Sequence, residues 1–464
     1  GGTFLLNSIW DEEETLNQLP DHMKKFLAEN NISFYIINAT KIAAKIGLGS
    51  RTNTIMQSAF FKVAEVIPYD KAVDEMKHAI EKTYGKKGEI IVNMNNAAVD
   101  RGGDVTRIEV PKEWAKIKVK EEKDTRDLPD FIRNVFEPIN KLQGDSLPVS
   151  AFMGREDGTF PSGSTAFEKR GIAVNVPEWI PENCIQCNQC SYVCPHGCIR
   201  PFLLDEKEVK GLPKDVVTLE AKPKTFDGYR FRIQLSPLDC TGCGNCTDIC
   251  PSKEKSLVMK PLASQLKEVD VWNFMDTKVT YKDEIVEKDK SVKNSQFAQP
   301  LFEFSGACAG CGETAYVKLV TQLYGERMMI ANATGCSSIY GGSAPSTPYC
   351  PSKKTGRGPA WANSLFEDNA EFGFGMVTGV NKMRERVARM IEGANGSFSA
   401  GTKALFREWI ETKDDGKRSD EVSRKLIPAL AREKDPMAAE LLKLKQYFNK
   451  KSVWVFGGDG WAYD

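Results

Sequence analysis

The chain has no net charge: 63 Lys and Arg stand against 63 Asp and Glu. No global field is available to recruit nucleic acid or an anionic membrane, so neither is expected as a partner. No apolar run approaches the roughly 20 residues of a membrane-crossing helix, and no signal peptide precedes the cysteines, so disulfides give way to a reducing, cytoplasmic setting. An initiating methionine is missing too. The sequence opens on GGTFLLNSIW and stops at WVFGGDGWAYD, and a fragment cut at both ends is expected. What remains is 464 residues, 41% hydrophobic, enough for roughly three domains with cores of their own.

Cysteine is plentiful and clustered. CIQCNQCSYVCP, from Cys184 to Pro195, is nearly repeated as CTGCGNCTDICP, from Cys240 to Pro251. Each run reads C-x2-C-x2-C-x3-C-P, the ferredoxin spacing in which three thiolates wrap one face of a [4Fe–4S] cube and the fourth reaches the other cube. The pattern predicts a crosswise pairing. Cys184, Cys187, Cys190 and Cys250 would hold one cluster, and Cys240, Cys243, Cys246 and Cys194 the other. A pair of structural zinc sites also uses C-x2-C knuckles, but has no use for the third cysteine of each run.

From residue 1 to about 110, apolar strand-like runs (TFLLN at Thr3, FYIIN at Phe34, EIIVNM at Glu89) alternate with helical periodicity, which predicts a parallel α/β layer. In YDKAVDEMKHAIEKTYG, Val73, Met76 and Ile80 share a helical face and Gly85 supplies a stop. Between about Val110 and Glu168 the chain is charged and punctuated by Pro and Gly, with GREDGTFPSGST as its loosest piece. The insert between the two cysteine runs is longer than a minimal ferredoxin needs. Near the end, TKDDGKRSDEVSRKLIPALAREKDPMAAELLKLKQY reads as amphipathic helix with core-facing Leu and Ala.

A third cysteine set follows. GACAGCGET supplies Cys308 and Cys311, and ATGCSSIYGGS supplies Cys336. Three thiolates would hold three irons of another cube, with zinc or a redox dithiol as alternatives; a fourth ligand is not evident, and Cys350 in PYCPSKK has no supporting spacing. The terminal VWVFGGDGWAYD is a strand running into Gly457, Gly458, Asp459 and Gly460. Such a turn lets backbone N–H groups approach a diphosphate while a carboxylate ligates Mg2+, although a tight turn after a buried strand would look the same.

Taken in order, GTFPSGSTAFEKRGIAV, the two ferredoxin runs, SGACAGCGET, ANATGCSSIYGGSAPSTPY, GRGPAWANSLFEDNAEFGFGM and GGDGWAYD resemble the central and C-terminal part of a pyruvate:ferredoxin (flavodoxin) oxidoreductase. The resemblance implies a multidomain α/β fold: a Rossmann-like parallel α/β domain at 1–125, associated with coenzyme A, and a small linking domain at 126–170. A ferredoxin-like α+β domain with two [4Fe–4S] clusters would follow at 171–265, and an incomplete thiamine diphosphate-binding α/β domain at 300–464. It implies that Cys308, Cys311 and Cys336 bind the cluster nearest the cofactor, with their fourth ligand beyond Asp464. Glu313 and Cys336 would touch thiamine diphosphate, Gly458, Asp459, Gly460 and Trp461 would cradle its diphosphate, and Asp459 would bind Mg2+. Arg51 and Asn53 in GSRTNTIMQ become candidates for coenzyme A, beside the plainer reading of Arg51 as a solvated loop residue.

The activity implied is reversible oxidative decarboxylation of pyruvate to acetyl-CoA and CO2. Thiamine diphosphate would carry the carbon chemistry, and electrons would leave singly through three clusters to ferredoxin or flavodoxin, in a homodimer. Another 2-oxoacid is an alternative substrate. A polyferredoxin-type carrier is the alternative from another class, but it leaves the third cysteine set and the GDG turn unexplained. Because the family's N-terminal domains are absent, the chain alone is expected to be inactive.

Overall fold

A computed structural model describes residues 1–49, 51–119, 126–394 and 398–462. The expected domain end at residue 125, Ser50 of GSRTNTIMQ and the last two residues of GGDGWAYD lie outside them. The chain divides into two compact units, Gly1–Arg126 and Asp127–Asp464.

In the first unit, aromatic and β-branched residues form β1 (Gly2–Asn7) and β2 (Ile32–Ile37), paired in parallel from Gly2↔Ile32 to Asn7↔Ile37. Phe34 and Ile36 pack with Leu19, Leu27 and Ile108, while Ile37 joins Ala39, Ala43, Ile55, Ala59 and Ala98 in a second cluster. The third strand, β3 (Thr106–Ile108), lies on the other side of β2 and runs antiparallel. The expected parallel layer is therefore a mixed sheet. Four helices rather than one separate β2 from β3 (Ala39–Lys45, Asn53–Ala64, Tyr69–Tyr84 and Glu89–Gly102), and β3 returns in the direction opposite to β2.

The last of those helices corrects the reading of EIIVNM as a strand. Asn95, Ala98, Val99 and Gly102 are its buried positions, the spacing of one helical face. A short apolar run is ambiguous in isolation; here the neighbouring helix decides, because a Cβ at Gly102 would lie 2.5 Å from the Ile55 carbonyl of helix Asn53–Ala64. Gly85 ends the helix Tyr69–Tyr84, as expected, with its N–H on the Glu81 carbonyl. Its φ is −53°, and the chain continues through a 3-10 turn (Gly85–Lys87) to Gly88, where φ is +98°.

The second unit opens with a π-helical turn (Ile132–Phe136) running into a short α-helix (Glu137–Asn140), followed by short 3-10 turns up to Phe167. Then come β4 (Asn175–Trp179), β5 (Ile199–Leu204), β6 (Leu219–Glu220), β7 (Arg230–Leu235) and β8 (Leu257–Pro261). β4 pairs antiparallel with β8, which brings the two ends of the ferredoxin-like segment together. The charged insert folds into the antiparallel sheet β5-β7-β6, in which every residue of β5 is buried. Further on, β9 (Met328–Asn332), β10 (Ala360–Asn363) and β11 (Ser452–Phe456) form a parallel sheet with β9 in the centre.

Helix Asn369–Glu392, which carries the NAEFGFGM motif, packs on that sheet, and Asn369 Nδ2 donates to the Phe456 carbonyl at 2.9 Å. The long amphipathic stretch becomes helices Gly416–Leu430 and Pro436–Lys443. They bury Val422, Leu426, Leu430, Ala438 and Leu441 beside Trp409 and Phe448.

Candidate metal centre and cofactor site

The two cysteine runs fold alike. In each, the residues on both sides of the second cysteine are left-handed: Gln186 (φ 58°) and Asn188 (φ 61°) around Cys187, Gly242 (φ 71°) and Gly244 (φ 83°) around Cys243. A short helix starts next, Gln189–Tyr192 in the first run and Asn245–Asp248 in the second. Two left-handed residues two positions apart, one on each side of the second cysteine, curl the loop tightly.

How the left-handed backbone is held differs between the runs. Gln186 and Asn188 are each 2% exposed. Gln186 donates to the Glu220 carbonyl at 2.7 Å and accepts from Lys222 N–H at 2.8 Å, and Asn188 donates to the Lys293 carbonyl at 3.1 Å. The second run uses glycine, and at Gly242 nothing else fits: a Cβ there would lie 2.7 Å from the Asn175 carbonyl.

The thiols line two cavities in crossed sets. One is lined by Cys184, Cys187, Cys190 and Cys250 together with Trp179, Asn188 and Ser252. The other is lined by Cys194, Cys240, Cys243 and Cys246 together with His196, Cys198 and Thr241. Among the described residues no three His, Cys, Asp or Glu side chains close on a point as one metal ion would require; the thiols ring the cavities.

Burial followed by mutual repulsion raises the Cys184 and Cys190 thiols. Burial also pushes Cys240 up to about 12 and raises Cys246. Cys250 moves down to about 7, because hydrogen bonds from Ser256 and Ser252 outweigh its burial. Cys194 is held well below its ordinary value by the Cys198 thiol first, then by Lys318 and His196.

Several of these neighbours were not singled out by sequence reasoning. Cys198 is buried, with its thiol donating to the Asp239 carbonyl at 3.0 Å and its N–H to Cys194 Sγ at 3.3 Å. Its signal was the extra cysteine four residues after Cys194. His196 binds the Ser305 carbonyl through Nδ1 at 3.1 Å, while its buried Nε2 and the buried Thr241 hydroxyl lack partners among the described residues.

At the third set, topology does the gathering. β9 and β11 are parallel neighbours, so the loops leaving their carboxyl ends lie side by side, the usual place for a ligand in an α/β sheet. One loop delivers Cys336 at the start of helix Cys336–Gly342, and the other delivers Gly457 to Gly460. Gly458 is buried, and its missing Cβ would lie 3.5 Å from Cys336 N. Glu313 accepts from the Tyr340 hydroxyl at 3.2 Å.

Partial burial, then the charges of Glu313, Asp459, Cys308 and Cys311, raises the Cys336 thiol, which is exposed. Asp459 and Gly460 are exposed and Trp461 is half-buried. Cys350 is elsewhere, buried with its thiol on the Pro300 carbonyl. The Cys308–Cys311 loop also meets the second ferredoxin run: a Cβ at Gly310 would lie 3.6 Å from Cys243 Cβ. Arg51 and Asn53 belong to the first unit, exposed at the start of helix Asn53–Ala64.

Comparison with known proteins identifies the segments. A family described as pyruvate ferredoxin/flavodoxin oxidoreductase matches residues 1–105, a domain of unknown function 118–173, and a 4Fe-4S dicluster domain 183–253. All of the chain aligns with the pyruvate:ferredoxin oxidoreductase of Moorella thermoacetica, 52% identical over 473 residues, and with the pyruvate-flavodoxin oxidoreductase of Enterobacter agglomerans, 51% identical over 474. The chain is homologous throughout to these oxidoreductases. It spans 40% of the length of either relative. A pyruvate dehydrogenase [NADP(+)] of Euglena gracilis is 43% identical over 471 residues and is covered to 26%. Among the described residues no helix is long and apolar enough to cross a membrane.

Proposed function

We propose that this chain is the electron-transfer and cofactor-binding part of an enzyme that oxidatively decarboxylates pyruvate to acetyl-CoA and CO2. The donor sets fit the groups this needs. Two crossed rings of four thiols suit two [4Fe–4S] cubes, and the orphaned His196 Nε2 and Thr241 hydroxyl offer hydrogen bonds to a cluster. Cys308, Cys311 and Cys336 suit three irons of a third cube. Asp459 suits Mg2+ and the Gly458–Trp461 turn a diphosphate, with Glu313 beside them. When bound, thiamine diphosphate supplies the electron sink for decarboxylation; this chain's residues bind it, orient it and carry the charge away.

The observation that carries the reading is a sequence of contacts. The GDG turn lies against Cys336, and Gly310, between Cys308 and Cys311, lies against Cys243 of the second ring. Cofactor, third cluster, second ring and first ring then form a continuous route toward ferredoxin or flavodoxin. A carrier without a catalytic site leaves the GDG end of that route unexplained. The domains are read as 1–125, 126–170, 171–265 and 300–464, with coenzyme A near Arg51 and Asn53, in a cytoplasmic homodimer.

The test is pyruvate- and coenzyme A-dependent reduction of ferredoxin by the complete enzyme, wild type against Asp459→Ala. Loss of Mg2+-dependent thiamine diphosphate binding with unchanged iron content is expected. Unchanged affinity for the cofactor would sink the assignment.

A further inference from the structure

Among the described residues, three buried cations are matched by carboxylates, Arg200 by Glu303, Arg232 by Glu268 and Lys282 by Glu208, and buried Arg384 donates to the Tyr447, Phe448 and Lys413 carbonyls, away from the cysteine runs. Lys318 is 1% exposed and, among the described residues, has no carboxylate partner. Its ammonium donates to the Ser191 carbonyl and, at 3.0 Å, to Gln296 Oε1, which also accepts from the Ser191 hydroxyl at 3.1 Å. Ser191 lies between Cys190 and Cys194 in the first run. Lys318 stands on helix Thr314–Tyr324, which begins just past Cys311 and Glu313, and its Cδ would touch a Cβ at Gly197.

A buried ammonium is costly without a counter-charge. The candidates around Lys318 are thiols, Cys194 foremost, then Cys190 and Cys198, while the nearby Arg200 opposes it. Burial pulls its pKa down to about 8. A cube held by four thiolates is an anion, and each added electron makes it more negative. A fixed cation nearby therefore favours the reduced form, since net charge is one of the levers that set cluster potential.

We propose that Lys318 is the buried counter-ion of the cluster held by Cys194, Cys240, Cys243 and Cys246, and that it raises the reduction potential of that cluster. The inference rests on the reading of those thiols as cluster ligands. Lys318 is a positioning and tuning residue, touching neither substrate nor thiamine diphosphate.

The test is an EPR-monitored redox titration of the full chain, loaded without oxygen, as wild type, Lys318→Met and Lys318→Gln. Wild type that fails to take up about eight irons with matching sulfide sinks the ligand reading itself, apart from anything Lys318 does. With wild type loaded, a neutral variant is expected to lower the midpoint of the signal that Cys240→Ser removes. The expected loss is at least tenfold in preference for the reduced form, ~59 mV for a one-electron couple, with the other cluster moving less. An unchanged midpoint in a loaded variant overturns the proposal. If neither neutral variant loads, Lys318→Arg decides: loading restored by charge supports the counter-ion, and failure of all three assigns Lys318 to packing and overturns it.

Discussion

The two cysteine runs reach one backbone shape by different means. The second has glycine at both left-handed positions, and Gly242 presses against the Asn175 carbonyl of β4. The first places Gln186 and Asn188 at the equivalent positions and ties both side chains down, Gln186 to the insert at Glu220 and Lys222, and Asn188 to Lys293. A left-handed conformation costs a non-glycine residue roughly 1–2 kcal/mol, while each hydrogen bond returns about 1 kcal/mol. One loop is thus shaped by what its residues lack and the other by what they grip. The long insert between the runs has a job in this comparison: it supplies the groups that Gln186 grips.

The comparison breaks hardest at Gly242. Gly242→Val puts a branched side chain into main chain at a positive φ, and is expected to remove the second cluster, seen as a drop of about four irons per loaded chain. Iron content equal to wild type would show that the loop has room the geometry denies. Gln186→Ala keeps the left-handed strain and deletes both tethers, for a destabilisation of about 2 kcal/mol, read as a lower urea midpoint. Gln186→Gly should cost less than Gln186→Ala, because glycine relieves the strain, and the reverse order would contradict the account. Smallest is Gly244→Asn, which copies the first run; space is open there apart from Thr247 Oγ1 at 4.0 Å, and the change is expected to stay within about 0.5 kcal/mol.

Much of this site was legible in the chain because the cysteines that line the two cavities sit at short, regular intervals. The crossed sets follow from spacing, and the structure brings the same thiols around each cavity. The third set was legible only in part, since the approach of Cys336 to Gly458 depends on β9 and β11 lying side by side, across more than a hundred residues of intervening chain. His196 and Lys318 carry no local pattern, and Cys198 only its place four residues after Cys194. They matter through what folds against them.

The misread elements have a similar cause. EIIVNM is apolar enough for a strand, and a neighbouring helix that only folding supplies makes it helical. Gly85, by contrast, ends its helix as its composition suggests, and the left-handed turn follows three residues later at Gly88.

The crosswise exchange of the fourth cysteines is the central claim, and the most direct measurement is low-temperature EPR of the reduced, anaerobically loaded chain in four variants. Cys250→Ser should alter the same signal as Cys184→Ser, and Cys194→Ser the same signal as Cys240→Ser. If Cys250→Ser instead alters the Cys240→Ser signal, each run serves its own cluster, and the crossed arrangement is wrong.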